Sequence, residues 1–528
     1  MKPRLLVVLV SLLALAALAG CGSSSSSSGG STGADPAKLV PAQAPIYIGA
    51  TVRPDGQLGD DATAALKKLL QTDDPSAKLV GLIDKALAKR GLNYNDDVKP
   101  WLGQRVGLFI TSFAGGKAVG AGILDTTDTG KAKSTLDKLI SKGGSTSTKT
   151  YKGVDVTVNQ ARGLADAIVN GYAVLGTLAG VQQTIDVSKG ARPITDVADF
   201  TSSLSAVGAD QALANVYVQP KALVDAVAQM SSTLAGAQGA VALNVLREMV
   251  AKSGRAVAAG LHASSDSIRI EAAELGTQPS TSTGTSGADE LANLPGDAWL
   301  GIGFGDIGGS LSKVFGQLSK LAALGGSSST FGSLFSQFKS QTGIDFQKDL
   351  LSWMGSGAIY GRGRSLTDLG LALTVESKDP AKSLHAVDLI AKAVQKSGAT
   401  VQDTTVEGYT KAKAIRLSGL PFPFVIAAGG NHFSLGLNPQ AMSDMLHPSS
   451  KLSDSPQYAA ATKALGPGIR PVFLLDTPTV VSLAEAFGAS TSPSFQKIQK
   501  YLDALGPLAV GIEHDGDTTK LALALALK

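Results

Sequence analysis

The chain has 528 residues, a formal charge of +4 and a single cysteine, with 44% apolar and 17% charged residues. That length exceeds one ordinary core and suits two to four domains, while the apolar content excludes a wholly disordered chain. Lys2 and Arg4 sit at the very start, so the remainder is close to neutral and has no dense Lys/Arg tract, which argues against nucleic-acid binding.

Met1–Arg4 carries two positive charges and Leu5–Leu18 is an almost unbroken Leu/Val/Ala run. Fourteen such residues span about 21 Å as a helix, short of the roughly 30 Å hydrocarbon layer, so the run reads as a cleaved export signal. Its end, Leu18-Ala19-Gly20-Cys21, resembles the lipobox of bacterial lipoproteins. The resemblance makes Cys21 the lipidated residue, Ala19 and Gly20 the small pair at the cleavage point, and Leu18 the residue three before the cysteine. The alternative, an ordinary signal peptide with an incidental cysteine, ignores that the sole cysteine stands where lipidation needs it. Without a second cysteine the chain forms no intrachain disulfide and no thiolate metal cluster. Residues 1–20 are thus the expected signal peptide, and 21–38, with Ser23–Ser28 and Gly29–Gly33, a random-coil tether.

A strand is expected over Ile46–Val52, then helices over Ala62–Leu70 and Ser76–Arg90, the second on the spacing of Leu79, Ile83 and Leu87. Trp101-Leu102-Gly103 precedes two strand-like runs, Arg105–Ser112 and Ala118–Leu124, around a Gly115-Gly116 turn. Ala132, Leu136, Leu139 and Ile140 form the apolar stripe of a helix over Thr129–Lys142. Strands over Tyr151–Asn159 and Gly171–Gly176 and a short helix over Val181–Ser188 follow. Beyond residue 200 come a strand at Ala214–Val218, helices over Ala222–Leu234 and Ala240–Ala251, and a hairpin of Ala256–Leu261 with Ser267–Ala273. Gly276–Gly287 has no apolar period and reads as a boundary.

Past that tract the order restarts. Pro41 and Pro295 are each followed by alanine at the third residue and glycine at the eighth. Trp353-Met354-Gly355 repeats Trp101-Leu102-Gly103, the proline-to-tryptophan distances being 60 and 58 residues. Ala381-Lys382-Ser383 repeats Ala132-Lys133-Ser134, Gly430–Gly436 takes the place of Gly171–Gly176, and Val472–Leu475 matches Val216–Val218. Gly511 and Asp517 repeat the six-residue interval between Gly260 and Asp266, and Thr518–Ala524 replaces Ser267–Ala273. The implied organisation is an internal duplication: units over 39–202 and 203–275, a flexible linker over 276–290, and their repeats over 291–464 and 465–528. Short turns between neighbouring strands point to an α+β fold, antiparallel sheets with helices packed on one face. A parallel sheet of β-α-β crossovers is the competing reading.

Leu39-Val40-Pro41 with its following strand, Val98-Lys99-Pro100-Trp101-Leu102-Gly103, and the Tyr151-Lys152-Gly153 turn together resemble the actinobacterial lipoprotein family known as domain of unknown function 3352. The resemblance covers most of residues 39–528. The second half departs from it at Glu407-Gly408-Tyr409 and at Leu351-Ser352 before Trp353. It implies a secreted, membrane-tethered body of mixed α and β structure and supplies no catalytic residues.

Chemical motifs are sparse. The five histidines are His262, His385, His432, His447 and His514. His432 and His447, with Asp444 between them, are the closest grouping and the one weak candidate for a catalytic or metal site, yet fifteen residues separate the histidines and no His-Glu-x-x-His spacing occurs. The one Gly-x-Ser-x-Gly, Gly29–Gly33, lies in the tether without the strand and helix that a nucleophile elbow requires. Gly115-Gly116 and Gly429-Gly430 belong to hairpin turns rather than phosphate loops. Asp60-Asp61, Asp73-Asp74 and Asp96-Asp97 lack calcium-loop spacing and read as caps and turns. In Leu420-Pro421-Phe422-Pro423-Phe424, Phe422 and Phe424 are candidate apolar contacts, or else part of a loop covering the sheet.

These readings imply a lipid-anchored protein on the extracytoplasmic face of the cell membrane, with no cofactor and a non-enzymatic role in binding a hydrophobic ligand or envelope protein. An envelope hydrolase using His432, Asp444 and His447 is one alternative, and a structural or assembly protein another.

Overall fold

The computed structural model describes residues 35–114, 117–142, 144–231, 247–248, 250–251, 253–277, 286–313, 337–365, 368–417 and 422–528. Leu18, Ala19, Gly20 and Cys21 lie outside the described residues, as do the Gly115-Gly116 turn, Leu420, Pro421, and most of the segments Ala240–Ala251 and Gly276–Gly287. The chain divides into two compact units, Met1–Gln278 with His514–Lys520, and Pro279–Glu513 with Leu521–Lys528. Each is a mixed α+β structure on a large antiparallel sheet against which helices pack.

Ten strands among the described residues lie wholly within the first unit: β1 (Ile46–Thr51), β2 (Leu102–Ala114), β3 (Lys117–Thr126), β4 (Ser147–Tyr151), β5 (Val154–Asn159), β6 (Leu164–Val169), β7 (Tyr172–Gly176), β8 (Ala214–Val218), β9 (Ala256–Ser264) and β10 (Ser267–Leu275). Their antiparallel order is β4-β5-β6-β7-β3-β2-β1-β8-β9-β10. Direct pairing of β1 with β8 joins the strands of 203–275 to the sheet of 39–202. The strands of the second unit are β11 (Leu300–Phe304), β12 (Met354–Arg362), β13 (Gly370–Ser377), β14 (Thr400–Thr404), β15 (Lys411–Arg416), β16 (Phe424–Gly429), β17 (His432–Gly436), β18 (Arg470–Leu475), β19 (Leu505–Asp515) and β20 (Thr518–Leu527). They run β14-β15-β16-β17-β13-β12-β11-β18-β19-β20, the same order as in the first unit.

Local chemistry explains why these segments begin and end where they do. Asp128 caps the helix Thr129–Ser141 by accepting from Lys131 N at 3.0 Å, and Asp379 caps Pro380–Lys396 by accepting from Lys382 N at 3.1 Å. Pro380 at the first helical position has no N–H to leave unsatisfied. A single π-helical turn precedes each repeated tryptophan, Tyr94–Val98 before Trp101 and Phe346–Leu350 before Trp353. The Trp353 indole N–H donates to the Asp349 carbonyl at 2.7 Å, and that of Trp101 to the Asp97 carbonyl at 2.5 Å.

Alternation along β7 distributes its side chains between two clusters. Ala173 and Leu175 join Ala132, Leu136 and Trp101, while Tyr172 and Val174 join Val181, Ile185 and Phe200. Between the first set and the helix Pro75–Ala88 lies an almost wholly apolar cavity of ≈ 130 Å³, bordered by Ile83, Leu87 and Leu139.

One expectation needs correction. The single strand expected over Tyr151–Asn159 is a hairpin, turning at Lys152 (φ 47°) and Gly153 (φ 79°). The strand β6 and the helix Ala198–Ala206 had no counterpart in the sequence reading. In β6 a charged residue, Asp166, occupies a fully buried position and interrupts the apolar signal.

Candidate functional site

The second unit contains an open cavity of ≈ 430 Å³ whose polar lining includes Glu290, Ser356, Thr374, Glu376, His432 and His447, with Asn293 and Asn431 beside them. Five elements supply these groups. Glu290 stands on the helix Gly287–Ala292, which Ser286 caps by accepting from Asp289 N at 3.2 Å. Ser356 belongs to β12, Thr374 and Glu376 to β13, and His432 to β17. His447 ends the helix Pro439–Leu446.

Sheet register makes the grouping. Glu376 pairs directly with His432, and Thr374 with Ser434, two residues along on the same face. Gly430 (φ 55°) allows the tight β16–β17 turn that starts β17 at His432. Gly357 is required by a close approach: a Cβ there would meet the Thr374 carbonyl oxygen at 2.2 Å.

Ser356, which is buried, donates to Glu376 Oε2 at 3.2 Å. Burial pushes the Glu290 carboxyl above the usual carboxylate range, opposed by hydrogen bonding with Ser356 and reinforced by the charge of Glu376. Burial holds the His432 imidazole below its usual value, Glu376 opposing this and His447 adding to it. Deeper in, Thr374 and Ser434 hydroxyls share a hydrogen bond of 2.6 Å, and the Tyr409 hydroxyl bonds to Ser434. Among the described residues, neither Glu290 nor Glu376 has a lysine or arginine at ion-pair distance. The lining is therefore rich in acceptors and short of cationic donors.

The structure brings His432 and His447 to one cavity, but Asp444 is engaged elsewhere. Its carboxylate takes a 2.5 Å ion pair from Arg362 and a 2.8 Å hydrogen bond from Gln440. Arg362 also holds Asp368 at 2.8 Å and Asp297 at 3.7 Å, so Asp444 is one anchor of that guanidinium. Glu290, Glu376 and Ser356 escaped the sequence reading. The available signal was a glutamate within an otherwise Leu/Ala/Thr/Val strand, Gly370–Ser377.

The remaining singled-out residues are dispersed. Phe422 is 41% exposed, whereas Phe424 begins β16 and packs against the core around Trp353 and Phe433. His262 is half-buried, with Nε2 2.9 Å from the Val207 carbonyl. Among the described residues no group of three or more His, Cys, Asp or Glu is placed to hold a metal ion, and no helix is long and apolar enough to cross a membrane.

Sheet and cavity together define an α+β protein of antiparallel sheets with an open, acceptor-rich cavity in its second unit. The chain belongs to the family described as Protein of unknown function (DUF3352), whose model matches residues 5–527. A comparison with curated proteins gave no match. Among solved structures, crystal forms I, IV and III of TP0453 are similar at a TM-score of 0.25 and 10% identity. The first covers 46% of this chain and 79% of that chain, the second 46% and 81%, the third 47% and 83%.

Proposed function

We propose that this protein is a lipid-anchored extracytoplasmic binding protein, tethered through Cys21, whose second unit holds a small cationic ligand without transforming it. The observation that carries the binding reading is the cavity in which Glu290, Glu376, His432 and His447 converge with no lysine or arginine, among the described residues, at ion-pair distance from the carboxylates. A ligand ammonium or amino group supplies the missing charge and donors, and a cavity of ≈ 430 Å³ falls in the size range of small-molecule sites. The anchoring reading rests on the lipobox-like Leu18–Cys21 and on the absence of any second cysteine from the sequence. The shared strand order of the two units supports descent from one duplicated ancestor.

Two measurements test this. In Triton X-114 partitioning of cell extracts, the wild-type chain should enter the detergent phase and C21A the aqueous phase. Equal partitioning of both refutes the anchor. In calorimetry, spermidine should bind the wild-type protein and bind E376Q about tenfold more weakly. Absence of spermidine heat, or undiminished binding by E376Q, refutes the ligand class.

A hydrolytic use of the same cavity is the second reading, favoured by the raised Glu290 carboxyl, which stays protonated to higher pH as a general acid requires. Turnover of ester or glycoside probes that E290Q abolishes would establish it.

A further inference from the structure

The first unit carries a separate cavity of ≈ 330 Å³ whose lining, unlike that of the second unit's cavity, includes an arginine. Its floor is set by register. Gly49 on β1 faces Gly107 on β2 and Asn215 on β8, so the three lie side by side across the sheet. Two residues back on β1 and β2 stand Tyr47 and Arg105, on the same face by strand alternation. Gly49 leaves this floor open, and Gly107 leaves room beside it for Tyr47. A Cβ at Gly49 would come within 2.9 Å of both Asn215 Oδ1 and Tyr47 Oη, and one at Gly107 within 3.2 Å of Tyr47 Oη. Phe200, from the helix Ala198–Ala206, forms one wall, edge-on to Tyr47 at 5.5 Å and to Tyr217 at 5.0 Å between ring centroids.

Two of the lining residues each hold an unsatisfied polar atom. Arg105 Nε and Asn215 Oδ1 are buried and have no hydrogen-bond partner. No carboxylate among the described residues forms an ion pair with Arg105. Asp35, which also borders the cavity, instead accepts from Ala37 N at 3.0 Å. A buried guanidinium nitrogen left bare is costly, and so is a bare amide oxygen, so the site is complete only when something accepts from one and donates to the other.

We infer that this cavity binds a small carboxylate that carries its own hydroxyl or amino donor, the carboxylate accepting from Arg105 and the donor meeting Asn215 Oδ1. Arginine's planar fork matches a carboxylate in two parallel hydrogen bonds. The rim carboxylates Asp35 and Asp210 disfavour a doubly charged phosphate and suit a singly charged ligand. Phe200 and Leu204 accommodate a short apolar side chain.

Calorimetry on the full chain in detergent tests this, with L-lactate and L-leucine as probes and acetate and inorganic phosphate as controls. One or both probes should bind at millimolar affinity or tighter, and at least about tenfold tighter than acetate, which lacks the donor. R105Q should weaken binding by about a hundredfold and G49A, which fills the floor, by at least about tenfold. Spermidine binding by R105Q should match the wild type, which checks folding and separates this site from the one in the second unit; failure of spermidine to bind either protein bears on that other site alone. Three outcomes overturn the inference: neither probe binds, acetate or phosphate binds as well as both, or R105Q binds a probe like the wild type.

Discussion

The two cavities lie on sheets of the same strand order but on different strands, the first on β1, β2 and β8 and the second on β12, β13 and β17, and they share only the neighbourhood of the matched positions Arg105 and Ser356. Counted from Gly49 and Gly303, each eight residues after its proline, register leads to Gly107 in the first unit and Ala358 in the second. Two residues back stand Arg105 and Ser356. The next strands place Asp125 where the second unit has Glu376, and the strands after those place Tyr172 opposite Asp125 and His432 opposite Glu376. Asp125 is occupied, accepting from Gln104 N at 3.1 Å. One backbone plan thus presents a guanidinium at Arg105 in the first unit and a hydroxyl at Ser356, beside carboxylates and imidazoles, in the second. The pleat fixes which positions face each cavity, and single residues at those positions fix its charge.

The largest effects are expected in the framework that the two units share. Trp101 and Trp353 are 3% and 0% exposed and hold matching places before β2 and β12. W101A and W353A should each destabilise their own unit by about 3–5 kcal/mol in urea unfolding, and a clear inequality would show that the two tryptophans are not equivalent supports.

Asp166 marks a difference. Its buried carboxyl is pushed up to about 6, with the Lys133 ammonium at 3.2 Å holding it from rising further. Because the folded value lies above the unfolded one, ionisation costs stability, and the penalty grows as pH rises from about 4 to about 6. D166N should therefore gain about 1–3 kcal/mol relative to wild type between pH 4 and pH 7, read from paired denaturation curves. A pH-independent difference would place the ionisation elsewhere.

Converting one lining toward the other is the next test. S356R puts a guanidinium beside Glu376 and should weaken spermidine binding by about tenfold to a hundredfold in calorimetry, with the Cys21-dependent partitioning unchanged. The smallest effect is expected at Phe422: F422S should change stability by no more than about 0.5 kcal/mol, since that ring is 41% exposed. F424S, which removes a ring from the core, should cost more.

Much of the fold was legible because local patterning carries it. The stripe of Ala132, Leu136 and Ile140 marks a helix and its buried face, and the span Ala214–Val218 is identical in sequence reading and structure. The site was only partly legible. His432 and His447 do share a cavity, but proximity in sequence wrongly grouped Asp444 with them, because it binds Arg362, eighty-two residues away in the chain. The acidic partners that do line the cavity, Glu290 and Glu376, come from distant strands and helices and left no spacing to read.

The apolar run that resembles a leader before Cys21, the alternation of strands and helices, and the restart of the pattern after the Gly/Ser/Thr tract are legible in the chain because each is written in neighbouring residues. Tertiary structure alone decided that β8 pairs with β1, that Glu376 faces His432, and that Arg105 and Asn215 look into one space without partners. The physical reason is register: a strand's own residues set its two faces, but only hydrogen bonding to a neighbour far along the chain decides which side chains meet.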